Sequence, residues 1–222
     1  MISILIPIYN GIEFIEESVT SVINQTIPNW ELIIGINGHS ENSDIYKKAK
    51  EYENKFDKIK VFDFFNIKGK SNTLNEMINC CSYDFIALLD VDDIWHPKKL
   101  EIQCKYLFEY DIIGTKCVYF GDRLNGVIPN IPIKDLNNFD FTKTNPIINS
   151  SSIIKKELCY WNKNYDGVED YDLWLRLKQQ NKKFYNCEEI LIKHRIHDTS
   201  AFNSKGNNNL VSNLLQSYSK NI

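Results

Sequence analysis

Four short apolar runs alternate with helix-patterned segments through the first half of the chain, and this alternation narrows the fold more than any other feature. The runs cover residues 2–9, 30–36, 60–65 and 83–89. Most are apolar nearly throughout, as strands buried on both faces are. Between them, residues 12–25 place apolar side chains at 12, 15, 19, 22 and 23, a helical rhythm. Residues 44–56 form a charged helix capped by Ser43 or Asp44, and residues 71–80 a shorter one. Pro97 opens a helix over 97–110, in the first turn, where its missing N–H is harmless. The β-α-β-α-β-α-β-α order calls for an α/β fold with a mostly parallel central sheet flanked by helices. Ligands on such sheets sit beyond the C-terminal strand ends. Asn10, Asn37 and the acids of residues 90–93 all fall there.

The second half is patterned differently. A strand is expected over 112–120, a loop-rich stretch over 121–145 and a further strand over 147–154. Gly167 to Leu177 opens a helix, and 183–187 and 190–194 read as two short strands. Residues 203–209 are polar and Asn-rich, expected to be flexible, and 210–218 suit a terminal helix. With neither repeat nor linker, the 222 residues read as one domain in two parts, 1–110 and a smaller region over 111–202, with a tail over 203–222.

A net charge of −3 gives no basic surface for nucleic acid. The six cysteines include no C-x-x-C pair, and free thiols in a reducing compartment are expected. The apolar start is too short to span a bilayer and has no basic leader. A cytoplasmic protein is expected, one that could still associate peripherally with a membrane.

The run from Tyr83 to Pro97 carries the chemistry. A buried strand stops in Asp90, Asp92 and Asp93. Side chains in a strand alternate, so Asp90 and Asp92 are expected on one side with Val91 opposite. Crowded acids repel unless a cation sits among them, and oxygen ligands suit Mg²⁺ or Mn²⁺. The plainer alternative is that they cap the next helix. Asp170 stands at a helix start, where the dipole favours an ionised carboxylate; capping is again the alternative. Tyr171, Trp174, Leu175 and Leu177 form that helix's core-facing stripe. Lys68 and Lys70 could meet a phosphate, but solvated lysines are the default.

These segments resemble the inverting family 2 glycosyltransferases of the GT-A fold. The matching stretches are Ile6-Pro7-Ile8-Tyr9-Asn10-Gly11, Trp30-Glu31-Leu32-Ile33-Ile34, residues 66–75, Leu89-Asp90-Val91-Asp92-Asp93-Ile94-Trp95-His96-Pro97, Glu169-Asp170-Tyr171-Asp172-Leu173-Trp174 and His194-Arg195-Ile196-His197. The resemblance implies sugar transfer from a nucleotide-diphosphate donor, a UDP-sugar, to a hydroxyl of a glycan, lipid-linked or protein-linked acceptor. It makes 1–110 the donor-binding half and 111–202 the acceptor-binding and catalytic half. It implies Asp170 as general base and Pro7, Tyr9, Asn10, Asn37, Asn75, Asp90, Val91 and Asp92 around the donor. Asp92, Asp90, Asp93 and His197 would hold Mn²⁺ or Mg²⁺, and Trp95, Glu169, His194 and Arg195 would face the acceptor or the diphosphate. Two positions depart from the pattern. Ile36-Asn37-Gly38-His39 stands where the family has Asp-Asp-Gly-Ser, and Leu74 where it often has Arg. A non-catalytic carbohydrate-binding protein on this fold is the competing class. A sugar-nucleotide pyrophosphorylase would need a Gly-rich phosphate loop that Asn10-Gly11-Ile12-Glu13 does not supply.

Overall fold

The computed structural model describes residues 1–198 and 207–219. The first half contains β1 (Ile2–Ile8), α1 (Ile15–Ile23), β2 (Trp30–Asn37), α2 (Asp44–Lys55), β3 (Ile59–Phe64), α3 (Lys70–Asn79) and β4 (Phe85–Leu88). The second adds β5 (Ile94–Trp95), α4 (Lys99–Gln103), β6 (Ile112–Gly121), β7 (Lys134–Asp135), β8 (Ile153–Lys155), α5 (Glu169–Gln179), β9 (Phe184–Ile196) and α6 (Asn207–Ser219).

Among the described residues, nine strands join one sheet in the order β3-β2-β1-β4-β8-β6-β9-β5, with β7 paired to β9. The β3-β2-β1-β4 part is parallel throughout. The chain leaves β1 toward β2 on one side and returns to β4 on the other, so a crevice opens at the C-terminal ends of β1 and β4. Pro7 is tolerated in this central strand for a local reason. Leu5 accepts from the Leu89 N–H, so the polar groups of odd-numbered residues face β4, and the β1–β4 rungs end at Leu5. The missing N–H of Pro7 points past the end of β4. One sheet face packs Ile4, Ile6, Leu32 and Ile34 against Val19 and Val22 of α1 and Ala49 of α2. The other packs Leu5, Ile33 and Leu88 against Leu74 and Met77 of α3 and Trp174 of α5.

Four expectations need correction. The helix expected over 97–110 is short, because Gln103 turns inward at the end of α4 and donates to the carbonyls of Ile113 and Ser151, both at 2.8 Å. Of 147–154, residues 149–151 form a 3-10 turn, and only the end joins β8. The two short strands at 183–187 and 190–194 are one strand, β9. Its exposed Glu188 and Glu189 are absorbed by register shifts against β6 at Thr115, Lys116 and Cys117. Of the tail, residues 203–206 lie outside the described residues, while Asn207 onward is helical. Among the described residues no helix is long and apolar enough to cross a membrane, and all six cysteines are free.

Candidate active site

β4 ends at Leu88, before the acids, and residues 90–93 form a turn closed by the Asp93 N–H on the Asp90 carbonyl at 3.0 Å. Strand alternation therefore does not govern them, and mutual repulsion fans the three carboxylates toward three different partners. Asp90 accepts from Lys70 Nζ at 2.8 Å, from Asn149 Nδ2 at 3.1 Å and from Ser150 Oγ at 3.2 Å. Burial works against its charge, but Lys70 and Asn149 outweigh it and hold the carboxyl below its usual range. Asp92 meets His197 Nε2 at 3.0 Å. Burial, then the charges of Asp93 and Asp90, push it up to about 6. Asp93 is fully buried, with the Arg195 backbone N–H on one oxygen at 2.9 Å and His194 Nδ1 on the other at 3.0 Å.

The second acidic group lies at the start of α5. Glu169 accepts from the Gly167 N–H at 2.7 Å and sits 3.3 Å from Lys70 Nζ. Asp170 accepts from the Tyr171 N–H at 2.7 Å and Asn145 Nδ2 at 3.0 Å. Burial first, and the charge of Glu169 second, raise it to about 6. Lys70, the first residue of α3, thus bridges the acid turn to the α5 start. Burial would strip its proton, but Asp90, Glu169 and Asp170 hold it firmly cationic. Asp166 in turn accepts the Ser71 N–H at 2.9 Å, tying the start of α3 to the loop before α5. Gly69 permits this approach: a Cβ there would lie 2.2 Å from the Asp166 carboxylate.

Nearby, at the ends of β1 and β2, the Tyr9 ring is 57% exposed and stacks on His39 with centroids 5.5 Å apart. Gly38, at φ 75°, makes room for it, since a Cβ there would stand 2.5 Å from the ring. Asn10 is exposed, Pro7 half-buried and Asn37 buried at this edge. Glycosyl transferase family 2 matches residues 3–203 of this sequence.

The chain belongs to that family.

It is 31% identical to the O-antigen biosynthesis glycosyltransferase WbnJ of Escherichia coli, over 90% of this chain and 82% of that protein. It is 29% identical to the Escherichia coli UDP-Glc:alpha-D-GlcNAc-diphosphoundecaprenol beta-1,3-glucosyltransferase WfgD, over 92% of this chain and 81% of that one. Among solved structures, Staphylococcus aureus TarS 1-349 in complex with UDP superposes with a TM-score of 0.73 at 17% identity, covering 97% of this chain and 64% of TarS 1-349. The mannosyltransferase PcManGT of Pyrobaculum calidifontis, in complex with GDP-Man and Mn²⁺, gives 0.70 at 13%, covering 90% and 58%. These likenesses show the GT-A fold of a glycosyltransferase.

Within this glycosyltransferase several expected site residues are engaged elsewhere. The Asn75 amide pairs both ways with the Trp161 backbone, at 2.8 and 2.9 Å, and fixes that loop. The Val91 side chain is buried against Gly11, where a Cβ would come within 2.9 Å of it. Trp95 is buried, donates to the Ser150 carbonyl at 2.8 Å and lies under Lys99 Nζ, 3.9 Å from the ring centroid. Burial lowers Lys99 to about 7. The Arg195 guanidinium sits between the Phe14 and Phe120 rings, 4.4 and 4.3 Å from their centroids, and donates to the Asp92 carbonyl at 2.9 Å. Burial would lower His194, but Asp93 raises it to about 9, so it counters the Asp93 charge.

Other residues of the site went unrecognised in the sequence. The sequence leaves Lys70 between a phosphate contact and a solvated lysine, and assigns no role to Asn145, Asn149, Ser150 or Asp166. Their only signal was polar side chains at the edges of apolar runs.

Among the described residues, no three His, Cys, Asp or Glu side chains converge as a complete metal site. Asp90 and Asp93 are already neutralised by Lys70 and His194. Asp92 and His197 remain side by side, one carboxylate oxygen and one imidazole nitrogen, with the carboxylate under strain from like charges. Mg²⁺ and Mn²⁺ accept one or two protein ligands and complete their shells with phosphate oxygens and water, so this donor pair fits them.

Proposed function

We propose that this chain transfers a sugar from a UDP-sugar to a hydroxyl of a lipid-linked or glycan acceptor in one displacement that inverts the anomeric centre. The observation that carries the reading is the Lys70 bridge. It joins the acid turn after β4 to the α5 start, and so ties together the two segments in which a carboxyl is raised to about 6, Asp92 and Asp170.

Asp170 is the general base. A carboxyl near 6 is ionised at neutral pH yet basic enough to take the acceptor's proton as its oxygen attacks the anomeric carbon. The new C–O bond forms as the bond to the diphosphate breaks, and the leaving group keeps the electron pair. Asn145 orients Asp170, and Glu169 keeps its pKa high. Pro7, Tyr9, Asn10 and Asn37 border the nucleoside, with the exposed Tyr9 ring as its platform. Asp92 and His197 would hold a divalent cation, which would stabilise the diphosphate's negative charge. Asp90 is held ionised by Lys70 beside that position. A lipid-linked acceptor is in keeping with WfgD, whose name specifies a diphosphoundecaprenol-linked sugar.

Calorimetric titration with UDP and Mn²⁺, paired with transfer assays, tests the reading. Wild type should bind UDP only with the metal, Asp92→Ala should lose that binding, and Asp170→Asn should keep it while losing transfer. Metal-dependent binding by Asp92→Ala would remove Asp92 from the site.

A further inference from the structure

The connection from β6 to β7 runs from Leu124 to Ile133 without a charged residue, in a chain that is 25% charged. It is not buried. Leu124 is 51% exposed, Val127 44%, Ile128 47% and Ile133 38%, a third of the large exposed hydrophobic residues among those described, gathered in ten positions. Its tip is a tight turn. The Val127 N–H bonds the Leu124 carbonyl at 3.0 Å, and Tyr119 pairs with Gly126 and Val127 at 2.9 and 2.8 Å. Leu124 itself adopts φ 59°. That left-handed conformation is costly for a bulky side chain without a local hydrogen bond, and Gly or Asn would ordinarily occupy it. A strained, solvent-facing leucine gains nothing for the fold of the isolated chain.

The root of the loop lies at the site. Arg123 pairs with Asp198, next to His197, and β6 ends on the rung Gly121–Ile196 beside the Asp93 and Asp92 partners. Lys134 closes the other end, 63% exposed and 3.5 Å from Glu188.

We propose that this loop is a lipid-inserting tip that seats the catalytic cleft on a bilayer surface. The proposal rests on the reading of the acceptor as lipid-linked. The exposed area of four aliphatic side chains on one loop is far smaller than the roughly 800 Å² per partner of a stable protein interface, whereas insertion into a bilayer has no such minimum. The two flanking cations suit anionic headgroups, but each already has an acidic partner. Attachment is therefore mainly apolar, weak and reversible, with a modest preference for anionic lipid.

Vesicle flotation of the full chain tests this. Wild type should float with phosphatidylethanolamine–phosphatidylglycerol vesicles and less with phosphatidylcholine alone. Leu124→Ser combined with Val127→Ser and Ile128→Ser should reduce the bound fraction at least about tenfold. Leu124→Asn should lower flotation while raising the melting temperature, a combination that a structural role for Leu124 does not produce. Equal flotation by the triple variant, failure of wild type to float, or a wild-type dimer that the triple variant converts to monomer would each overturn the proposal. UDP binding by the same samples is the separate control: its absence in wild type would overturn the functional reading and leave the flotation result standing.

Discussion

The acid turn after β4 and the acidic start of α5 come from opposite halves of the chain, and they are built alike. In each, one carboxylate is tied to Lys70, Asp90 at 2.8 Å and Glu169 at 3.3 Å. In each, a neighbouring carboxylate is raised to about 6 by burial and like charge, Asp92 in the turn and Asp170 on the helix. They differ in what meets the raised carboxylate. Asp92 has an imidazole beside it, the His197 ring at 3.0 Å. Asp170 has an amide and a backbone N–H, which orient the carboxylate and lower its pKa by less than burial and Glu169 raise it. One lysine thus counters the charge of two acidic clusters while one acid of each stays raised, and the two raised acids differ in the groups beside them.

The comparison can be broken at four points. The largest effect is expected for Asp170→Asn, which should lower turnover by about 10²–10⁴-fold with UDP binding retained. Its pH dependence carries the same information, because a general base at Asp170 would have to be ionised. Wild-type turnover should fall below about pH 6, where Asp170 protonates, and a profile flat through that region would move the base elsewhere.

Next is Lys70→Met, which removes the counter-charge from both clusters at once. About 2 kcal/mol of stability should be lost, discounted because the lysine side chain is partly exposed. Turnover should fall with it, and a variant as active and stable as wild type would dissolve the symmetry between the clusters.

Asp92→Asn separates the clusters by sign. A carboxyl raised in the folded state stabilises below its unfolded pKa and loses that stability as pH rises through the folded value, here about 6. At pH 7 without divalent cation, Asp92→Asn should therefore raise stability by about 1 kcal/mol, while Mn²⁺-dependent UDP binding disappears. A lower melting temperature in metal-free buffer would show that the His197 contact outweighs the repulsion.

The smallest effects tune Asp170. Asn145→Leu removes a hydrogen bond that favours the ionised form and should shift the acidic limb of the pH profile upward. Glu169→Gln removes a like charge and should shift it downward. Shifts in one direction for both would contradict the assigned causes.

The parallel sheet was legible because its strands are buried on both faces and announce themselves as continuous apolar runs. Ser43 was legible as a cap and accepts from the Tyr46 N–H at 3.3 Å. The acids were legible as clusters because three carboxylates at a strand end are chemically costly wherever they sit. Their individual roles were not. Asp93 is as acidic in sequence as Asp92, but only the fold sets His194 and the Arg195 backbone against it. Asn75 is held by Trp161, 86 positions away, a partner that no local pattern shows. The strand at 183–194 was split at Glu188 and Glu189, because a bulge lets two exposed acids pass without breaking the ladder, which periodicity cannot register.

By itself, then, the sequence determined the layered α/β architecture and the two places where charge gathers, since burial and like-charge crowding are read from neighbouring residues. Only the tertiary structure decided which acid of each cluster stays poised and that Lys70 stands between them. Those contacts join residues 20 to 105 positions apart, and local chemistry carries no information about partners at that range.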